Sequence, residues 1–545
     1  ERLYFEGDIF DKDYPARVSW IRTLRQGVFP FWNPSEYGGW PALANCEAGI
    51  LYPPNWLLIL FFKNDFLSYH ALQGLILIHF VLAGWFMFLL LRQYRMAFWP
   101  AIAGALIFMF SGFHGGHKLH VNLFCTVIWF PLILCLLERG LSQKKLSSIF
   151  AASFFFGISL LAGHPQMSYY FALVLLLRLL WDFASERRTE AGRWVKATEN
   201  LLVRGALLFV LPLGLAAMQT FPFMELAELS RRGGDATYQF ATEYSLPPQE
   251  LVEFFLPESF PWYFIEVFYV GVWSWLLVWA SLRHNWLGRE GKFWTFLLPV
   301  SILLALGLYG GLFESFYRIV PGMGKMRAPS RWIYFAIVAV SILAAGGLES
   351  MTQQDKPGRS QAGRLLQLLR WPMAALGLTL LYVYVQTLLP YSEVHLQNLQ
   401  RMAGGLVVIL ITLGAGALLL GHYRRGKISP IALGVVFSLL IYTELATYNN
   451  KINVVKQKMA YEFSPIVGGL RSERESRFRI LQPDSDRKTL NGNVFGLEEA
   501  GGFSPLGPKD YLEGVEIIRS NPNFSRLAGV RYLIGELPEA LKEAA

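Results

Sequence analysis

The sequence predicts a mainly α-helical, polytopic transmembrane bundle with a small extracytoplasmic α/β or α+β segment at its C-terminal end. Two observations carry this. Hydrophobic residues make up 53% of the 545 and charged residues only 16%, against about 25% charge in an ordinary soluble domain. The apolar residues are also gathered into about a dozen runs of roughly 16 to 22 residues, each long enough to cross a ~30 Å hydrocarbon core as a helix. Backbone amides find no water there, so runs this long and without alternation must be helical.

In chain order, residues 1–70 read as a first extracytoplasmic loop with interfacial helices. Pro30-Phe31-Trp32-Asn33-Pro34 and Tyr52-Pro53-Pro54-Asn55 supply fixed turns and aromatic anchors rather than a free linker. Residues 71–446 hold the spans, near 72–91, 98–113, 121–137, 148–163, 167–181, 201–222, 264–282, 293–310, 331–348, 371–390, 403–421 and 429–446. A long outer loop, 223–263, carries Phe260-Pro261-Trp262-Tyr263 as a further interfacial anchor. Residues 447–545 become charged and mixed. Strand-like Phe478-Arg479-Ile480-Leu481 and Val530-Arg531-Tyr532-Leu533-Ile534 mark a small extracytoplasmic domain there.

The net charge of +9 is a topology signal rather than a nucleic-acid footprint. With residues 1–71 outside, the alternate loops Arg92–Arg95, Arg139–Lys145, Arg187–Arg204, Arg283–Lys292, Lys356–Arg370 and Arg424–Lys427 face the cytoplasm. These hold about 20 Lys or Arg, against about 8 in the outer loops before residue 447, as the positive-inside rule requires. Both ends of the chain then lie outside. An outside start implies an upstream spanning helix, and a stop just after a strand implies further chain there too. Three cysteines, Cys46, Cys125 and Cys135, form no disulfide framework or CxxC pattern. No P-loop or GxGxxG occurs, so nothing points to a nucleotide cofactor.

Polar groups cluster in the outer loops. Gly7-Asp8-Ile9-Phe10-Asp11-Lys12-Asp13 sets three carboxylates and a base beside the bilayer surface, where a carboxylate can act as general base or hold a divalent cation. Taken alone, Asp11 and Asp13 read as a solvated loop. His114, His117 and His120 stand at zinc-compatible spacing, but glycines interrupt them and no carboxylate is near in sequence, so interfacial hydrogen bonding is the preferred reading. Gly163-His164-Pro165-Gln166 joins two spans in a tight reversal that aims His164 and Gln166 to one side. Lys325-Met326-Arg327-Ala328-Pro329-Ser330-Arg331 breaks the positive-inside trend at the outer face. Phosphate is the natural compensation, because guanidinium forks match its oxygens; lipid headgroups are the bland alternative.

Taken together, these segments resemble the YfhO family of bacterial membrane proteins, which is assigned to the GT-C glycosyltransferase superfamily. The resemblance rests on ordered motifs: Gly7-Asp8 with Pro15, Arg25-Gln26-Gly27, Pro30 to Pro34, Gly38-Gly39-Trp40-Pro41, Gly49, Tyr52 to Asn55, Trp129 to Leu132, Gly163 to Gln166, Pro222 to Glu225 with Ser230-Arg231, Tyr269-Val270-Gly271, Arg327 to Arg331 and Val530-Arg531-Tyr532. Asp11 and Glu47 stand where the family leads one to expect Gln, which blurs the assignment of the acid.

The resemblance implies a GT-C-like fold in the cytoplasmic membrane with its active site facing outside. It further implies transfer of a sugar from a polyprenyl-phosphate-linked donor to a cell-envelope glycan, such as lipoteichoic acid, or to a lipid or protein. Asp8 would be the catalytic base, with Asp11 and His164 as further catalytic candidates. Arg327 and Arg331 would hold the donor phosphate. Trp32, Asn33, Glu47, His117, His120, Gln166, Glu225 and Tyr269 would line the substrate pocket among membrane lipids. A divalent cation, Mg or Mn, has a place near Asp8, and no metal ligands are assigned. A transporter or flippase of lipid-linked saccharide would instead put ionisable groups at mid-bilayer, where His79 and Glu444 are the few candidates. A non-catalytic envelope scaffold would tolerate loss of Asp8.

Overall fold

The computed structural model describes residues 7–189, 194–230, 233, 237–256, 268–284, 288–352, 356–389, 391–452, 461, 465–473, 477–482, 491–502, 504 and 506–534. The Phe260–Tyr263 anchor lies outside the described residues. The chain opens with a π-turn, Ile9–Asp13, running into α1 (Tyr14–Arg25). Two short hairpins follow, β1 (Trp32–Asn33) with β2 (Trp40–Pro41) and β3 (Phe62–Lys63) with β4 (Phe66–Leu67). Between them lies a 3-10 segment, Pro53–Phe61. It leaves Trp56, Leu57, Leu60 and Phe61 more than half exposed, an apolar surface that suits a bilayer interface.

The bundle then comprises α2 (Tyr69–Gln93), α3 (Phe98–Met109), α4 (Gly112–His117), α5 (Val121–Val127), α6 (Phe130–Gln143), α7 (Leu146–Leu161), α8 (Pro165–Thr189), α9 (Trp194–Leu215), α10 (Ala217–Leu229), α11 (Tyr238–Ala241), α12 (Val272–His284), α13 (Gly288–Ala305), α14 (Leu312–Ile319), α15 (Ile333–Thr352), α16 (Lys356–Thr387), α17 (Glu393–Arg424) and α18 (Pro430–Ile452). Among the described residues, eight helical stretches are long and apolar enough to cross a membrane, and α3 and α7 are apolar but shorter. That is fewer than the dozen runs in the sequence, for local reasons. Pro212 sits inside α9, and the run expected over 201–222 divides at Ala216 into α9 and α10, since a mid-helix proline removes one hydrogen bond and crowds the preceding turn. The first turns of α13 carry Arg289, Glu290 and Lys292.

At the centre stands α15, with every side chain from Ile333 to Met351 buried. It packs against α3, α12, α13, α16 and α18. Glycines set these crossings. A Cβ at Gly347 would lie 1.9 Å from the Leu277 carbonyl, and one at Gly104 would lie 2.8 Å from that of Ser341. Small residues let membrane helices approach where dispersion rather than hydrophobic drive must hold them.

The C-terminal segment follows as α19 (Pro465–Ser472), β5 (Arg479–Leu481), α20 (Gly492–Phe495), β6 (Glu498–Glu499), α21 (Lys509–Ser520), α22 (Pro522–Leu527) and β7 (Val530–Leu533). Its sheet has the order β6-β5-β7 with both pairings parallel. The two stretches read as strand-like therefore pair with each other. This segment is bonded to the first loop. Arg22 donates to the carbonyls of Asn493 (2.8 Å) and Val494 (2.6 Å), and the Tyr37 and Gly38 amides donate to Gly501 and Glu499, each at 2.7 Å.

The opposite end of the bundle holds a buried ion cluster. Arg178 grips Glu138 through two bonds of 2.6 Å, while Asp182 faces Arg204 at 3.3 Å and Arg289 at 3.0 Å. Buried charge inside the helices is thus richer than His79 and Glu444 alone, but it is paired. His79 itself bonds Tyr52 and the Leu75 carbonyl.

Candidate functional site

A cavity of about 450 Å³ gathers groups from segments far apart in the chain. Asp8, Lys12, Cys46 and Glu47 come from the first loop, and His120, Asn122 and Leu123 from the start of α5. His164, Pro165 and Gln166 come from the α7–α8 turn. Phe223, Met224, Ala227 and Glu228 line it from α10, Tyr244 from the following loop, Lys325 to Ala328 and Arg331 from the approach to α15, and Leu506 from the C-terminal segment.

One wall is acidic. The π-turn sets Asp8 and Lys12 four residues apart, and Lys12 Nζ lies 3.4 Å from Asp8 and 2.9 Å from Glu47. Burial works against the Lys12 charge, but the carboxylates of Glu47, Asp13 and Asp8 outweigh it and hold its pKa above the ordinary lysine value. His120 Nε2 lies 3.8 Å from the same Asp8 oxygen. Burial, aided by His117, pushes the His120 pKa down to about 4 despite Asp8, so the ring is neutral at pH 7. His164 is held well below the ordinary range by burial and then by the Arg331 and Lys12 charges. Its Nδ1 accepts the Met167 amide at 3.2 Å, which assigns the proton to Nε2. The turn is tight because Gly163, at φ +94°, presses on the loop. A Cβ there would lie 2.1 Å from the Cys46 carbonyl oxygen.

The other wall is cationic. Arg331 Nη1 donates to Gln166 Oε1 at 2.6 Å, and Gln166 Nε2 donates to the Arg327 carbonyl and to the Tyr170 hydroxyl. Arg327 lies 3.6 Å from Glu243 and 5.5 Å above the Tyr244 ring. Between the two arginines Ala328 adopts φ +59°, a left-handed conformation that costs a non-glycine residue roughly 1 kcal/mol. Its amide is held by the Glu243 carbonyl at 2.9 Å. These bonds over-determine the strained turn and so fix where both guanidinium groups point.

Of the residues singled out in the sequence, Asp8, Glu47, His120, His164, Gln166, Arg327 and Arg331 meet in this cavity. Others stand elsewhere. Asp11 is partly buried off the cavity; burial and then the Asp11 charge hold the Tyr461 phenol well above its ordinary pKa. Asp13 is not a solvated loop residue but fully buried, bonded to Arg17 and to the Val121 amide at the start of α5. Trp32 is 56% exposed, and Asn33 bonds Asn493 in the contact with the C-terminal segment. His117 stacks on Phe113 and bonds its carbonyl, while His114 bonds Ser111. The glycines do not interrupt these histidines as expected, since His114, Gly115, Gly116 and His117 all lie within α4, but no group of three or more metal-ligating side chains is found among the described residues. Glu225 is exposed on α10 and Glu228, one turn on, lines the cavity instead. Tyr269 bonds Glu444 within the bundle. Lys12, Asn122, Glu228 and Tyr244 line the cavity without having been assigned to the site from the sequence, although the i, i+4 spacing of Lys12 from Asp8 signals an ion pair.

An apolar crevice of about 300 Å³ adjoins the cavity. Phe156 and Leu160 of α7, Ala172 of α8, and Phe209, Pro212 and Leu213 of α9 line it, and it shares Cys46, Pro165, Phe223 and Met224 with the cavity.

Fold and site together define a polytopic helical membrane protein whose loops enclose a charged cavity joined to an apolar crevice between helices. The chain belongs to the family described as bacterial membrane protein YfhO, whose model matches residues 51–464. Asp8 and Lys12 precede the matched region. Among solved structures the chain is similar to ArnT from Cupriavidus metallidurans, in the apo state (14% identity, 95% of this chain and 87% of that one, TM-score 0.48) and bound to undecaprenyl phosphate (14%, 97% and 86%, TM-score 0.48). No curated protein matches the sequence.

Proposed function

We propose that this chain is a GT-C-type glycosyltransferase that moves a sugar from a polyprenyl-phosphate donor to a cell-envelope acceptor at the extracytoplasmic face of the cytoplasmic membrane. The observation that carries the reading is the continuity of the charged cavity with the apolar crevice. A donor of this class is a phosphosugar on a long isoprenoid chain, so it needs a polar and an apolar chamber side by side. Cavity and crevice share the rim formed by Cys46, Pro165, Phe223 and Met224. The sidedness is supported by the loops involved, which alternate with the Lys- and Arg-rich ones.

In the reaction, the acceptor hydroxyl oxygen forms a bond to the anomeric carbon as the bond from that carbon to the phosphate oxygen breaks. Asp8 takes the hydroxyl proton, and polyprenyl phosphate leaves with the electron pair. Lys12 is shared between Asp8 and Glu47 and fixes where the Asp8 carboxylate stands in the cavity. Arg327 and Arg331 neutralise charge growing on the departing phosphate, and their prior fixation by Gln166 and Glu243 means little reorganisation is needed. His164 Nε2–H and neutral His120 are hydrogen-bonding groups for the sugar. The residues do not suit a divalent cation. The Lys12 ammonium already bridges the two carboxylates that would ligate it, and no step runs through a metal.

The test is transfer of radiolabelled hexose from polyprenyl phosphate to candidate acceptors by the purified protein. Asp8→Asn is expected to lower turnover by about 10²–10⁴, and Arg331→Ala by about 10² or more. Turnover unchanged in both variants overturns the site assignment.

A further inference from the structure

A second site lies at the far end of the bundle. We propose that the groove between α16 and α17 binds an anionic phospholipid in the leaflet next to the basic loops. The groove encloses about 410 Å³ and is floored on α17 by Gly414, Ala417, Leu418 and Gly421, with Met373 of α16 as its wall and His422 and Arg425 at its mouth.

Shape and charge agree on the occupant. From Gly414 to Arg425 the groove follows α17 for about 16 Å at ~1.5 Å per residue, which is half of a ~30 Å hydrocarbon core and hence one leaflet. Leu418, His422 and Arg425 fall on one helix face, so the apolar floor runs directly into the charge. Cations gather around the mouth. Neither Arg424 nor Arg425 has an ion-pair partner among the described residues. Arg424 folds over Gly363 of α16, its Nε 3.3 Å from where a Cβ would lie, and Arg359 of α16 lies equally close over Gly426. The arginines of the two helices therefore interleave around one mouth. A cluster of unpaired cations above an apolar slot one leaflet deep matches a phosphate headgroup with acyl chains below it.

The experiment is native mass spectrometry of the purified full chain in detergent, titrated with phosphatidylglycerol or with phosphatidylcholine of the same chains. Phosphatidylglycerol adducts should form with about tenfold or greater preference, and an equal concentration of glycerol 3-phosphate should not displace them. Arg424→Gln with Arg425→Gln should reduce the preference to near unity. Leu418→Trp, which fills the groove and leaves the cations in place, should weaken retention to a similar degree. Equal retention of both lipids, full retention in either variant, or displacement by glycerol 3-phosphate overturns the proposal. So does a dimer that Leu418→Trp dissociates, because the groove would then seat a second copy of the chain.

Discussion

A lysine between two carboxylates decides the chemistry of the acidic wall. Lys12 is almost out of water, yet its proton is held because Asp8 and Glu47 lie at 3.4 and 2.9 Å, and the attraction of several anions exceeds the desolvation of one ammonium. If it stands where a divalent cation would otherwise be needed, chelation has nothing to remove. Transfer by protein incubated with excess EDTA is expected to proceed at the untreated rate, and a loss restored by Mg or Mn would place a metal at Asp8 after all. His120 gives a pH prediction whose sign follows from burial. Its pKa is pushed from the ordinary 6.5 down to about 4, first by desolvation, with His117, Lys12 and Arg331 in the same direction and Asp8 opposing. Above pH 6.5 both folded and unfolded chains hold the ring neutral. Between 6.5 and about 4 only the unfolded chain takes up the proton, so stability falls as the pH falls through that window. His120→Gln should flatten that part of the thermal-stability profile and leave it unchanged above pH 7. An unaltered slope would show that the ring is not shielded from protons. These residues were legible in the sequence to different degrees. Arg331 could be singled out because arginines beside a span in a loop that alternates with the basic ones require compensation, and Asp8 through the family resemblance. The burial of Asp13 could not, since its partner amide at Val121 is 108 residues away.

Turns, more than helices, hold the site. Long apolar runs reveal helices because composition alone determines them in lipid, and each expected span has helix within it. Composition does not reveal where a helix bends or stops, which is why the run over 201–222 divides and why Glu228 rather than Glu225 lines the cavity. Tight turns with glycine and proline are the intermediate case. The Gly163–Gln166 reversal was readable as a turn, but its contact with Cys46 is a property of the packed molecule. That contact sets a prediction. Gly163→Ala adds a Cβ to a backbone at φ +94° and drives it against the Cys46 carbonyl, so Glu47 must move away from Lys12. A destabilisation of about 1–3 kcal/mol is expected from the strained backbone, with a larger proportional loss of transfer. Gly468→Ala, where a Cβ meets open space, is the matched control in the same thermal and transfer assays. Equal behaviour of the two variants would mean that the loop yields without disturbing the cavity.

Across the whole molecule, the site depends on joining the two extramembrane segments that bracket the bundle in sequence. Read separately, residues 1–70 look like a loop and 447–545 like an appended domain, because their contacts span more than four hundred residues. Arg22 makes the join. Its Nε reaches Asp65 at 2.7 Å while Nη1 and Nη2 donate to the carbonyls of Asn493 and Val494. A planar fork can satisfy three acceptors in fixed directions, and an ammonium cannot. Asp65 retains Arg471 at 2.6 Å, so removing Arg22 leaves that carboxylate paired and mainly exposes the two carbonyls as orphans. Arg22→Ala is therefore expected to destabilise the extramembrane unit by about 2–5 kcal/mol, the range for lost buried charge-assisted bonds, and Arg22→Lys to recover only part of it. Because Leu506 of the C-terminal segment closes one side of the cavity, loosening this unit should also raise the donor concentration needed for half-maximal transfer. Protection of the residue 491–502 amides from hydrogen exchange measures the docking directly. Arg22→Ala that weakens this protection without altering donor use would separate the C-terminal segment from the site.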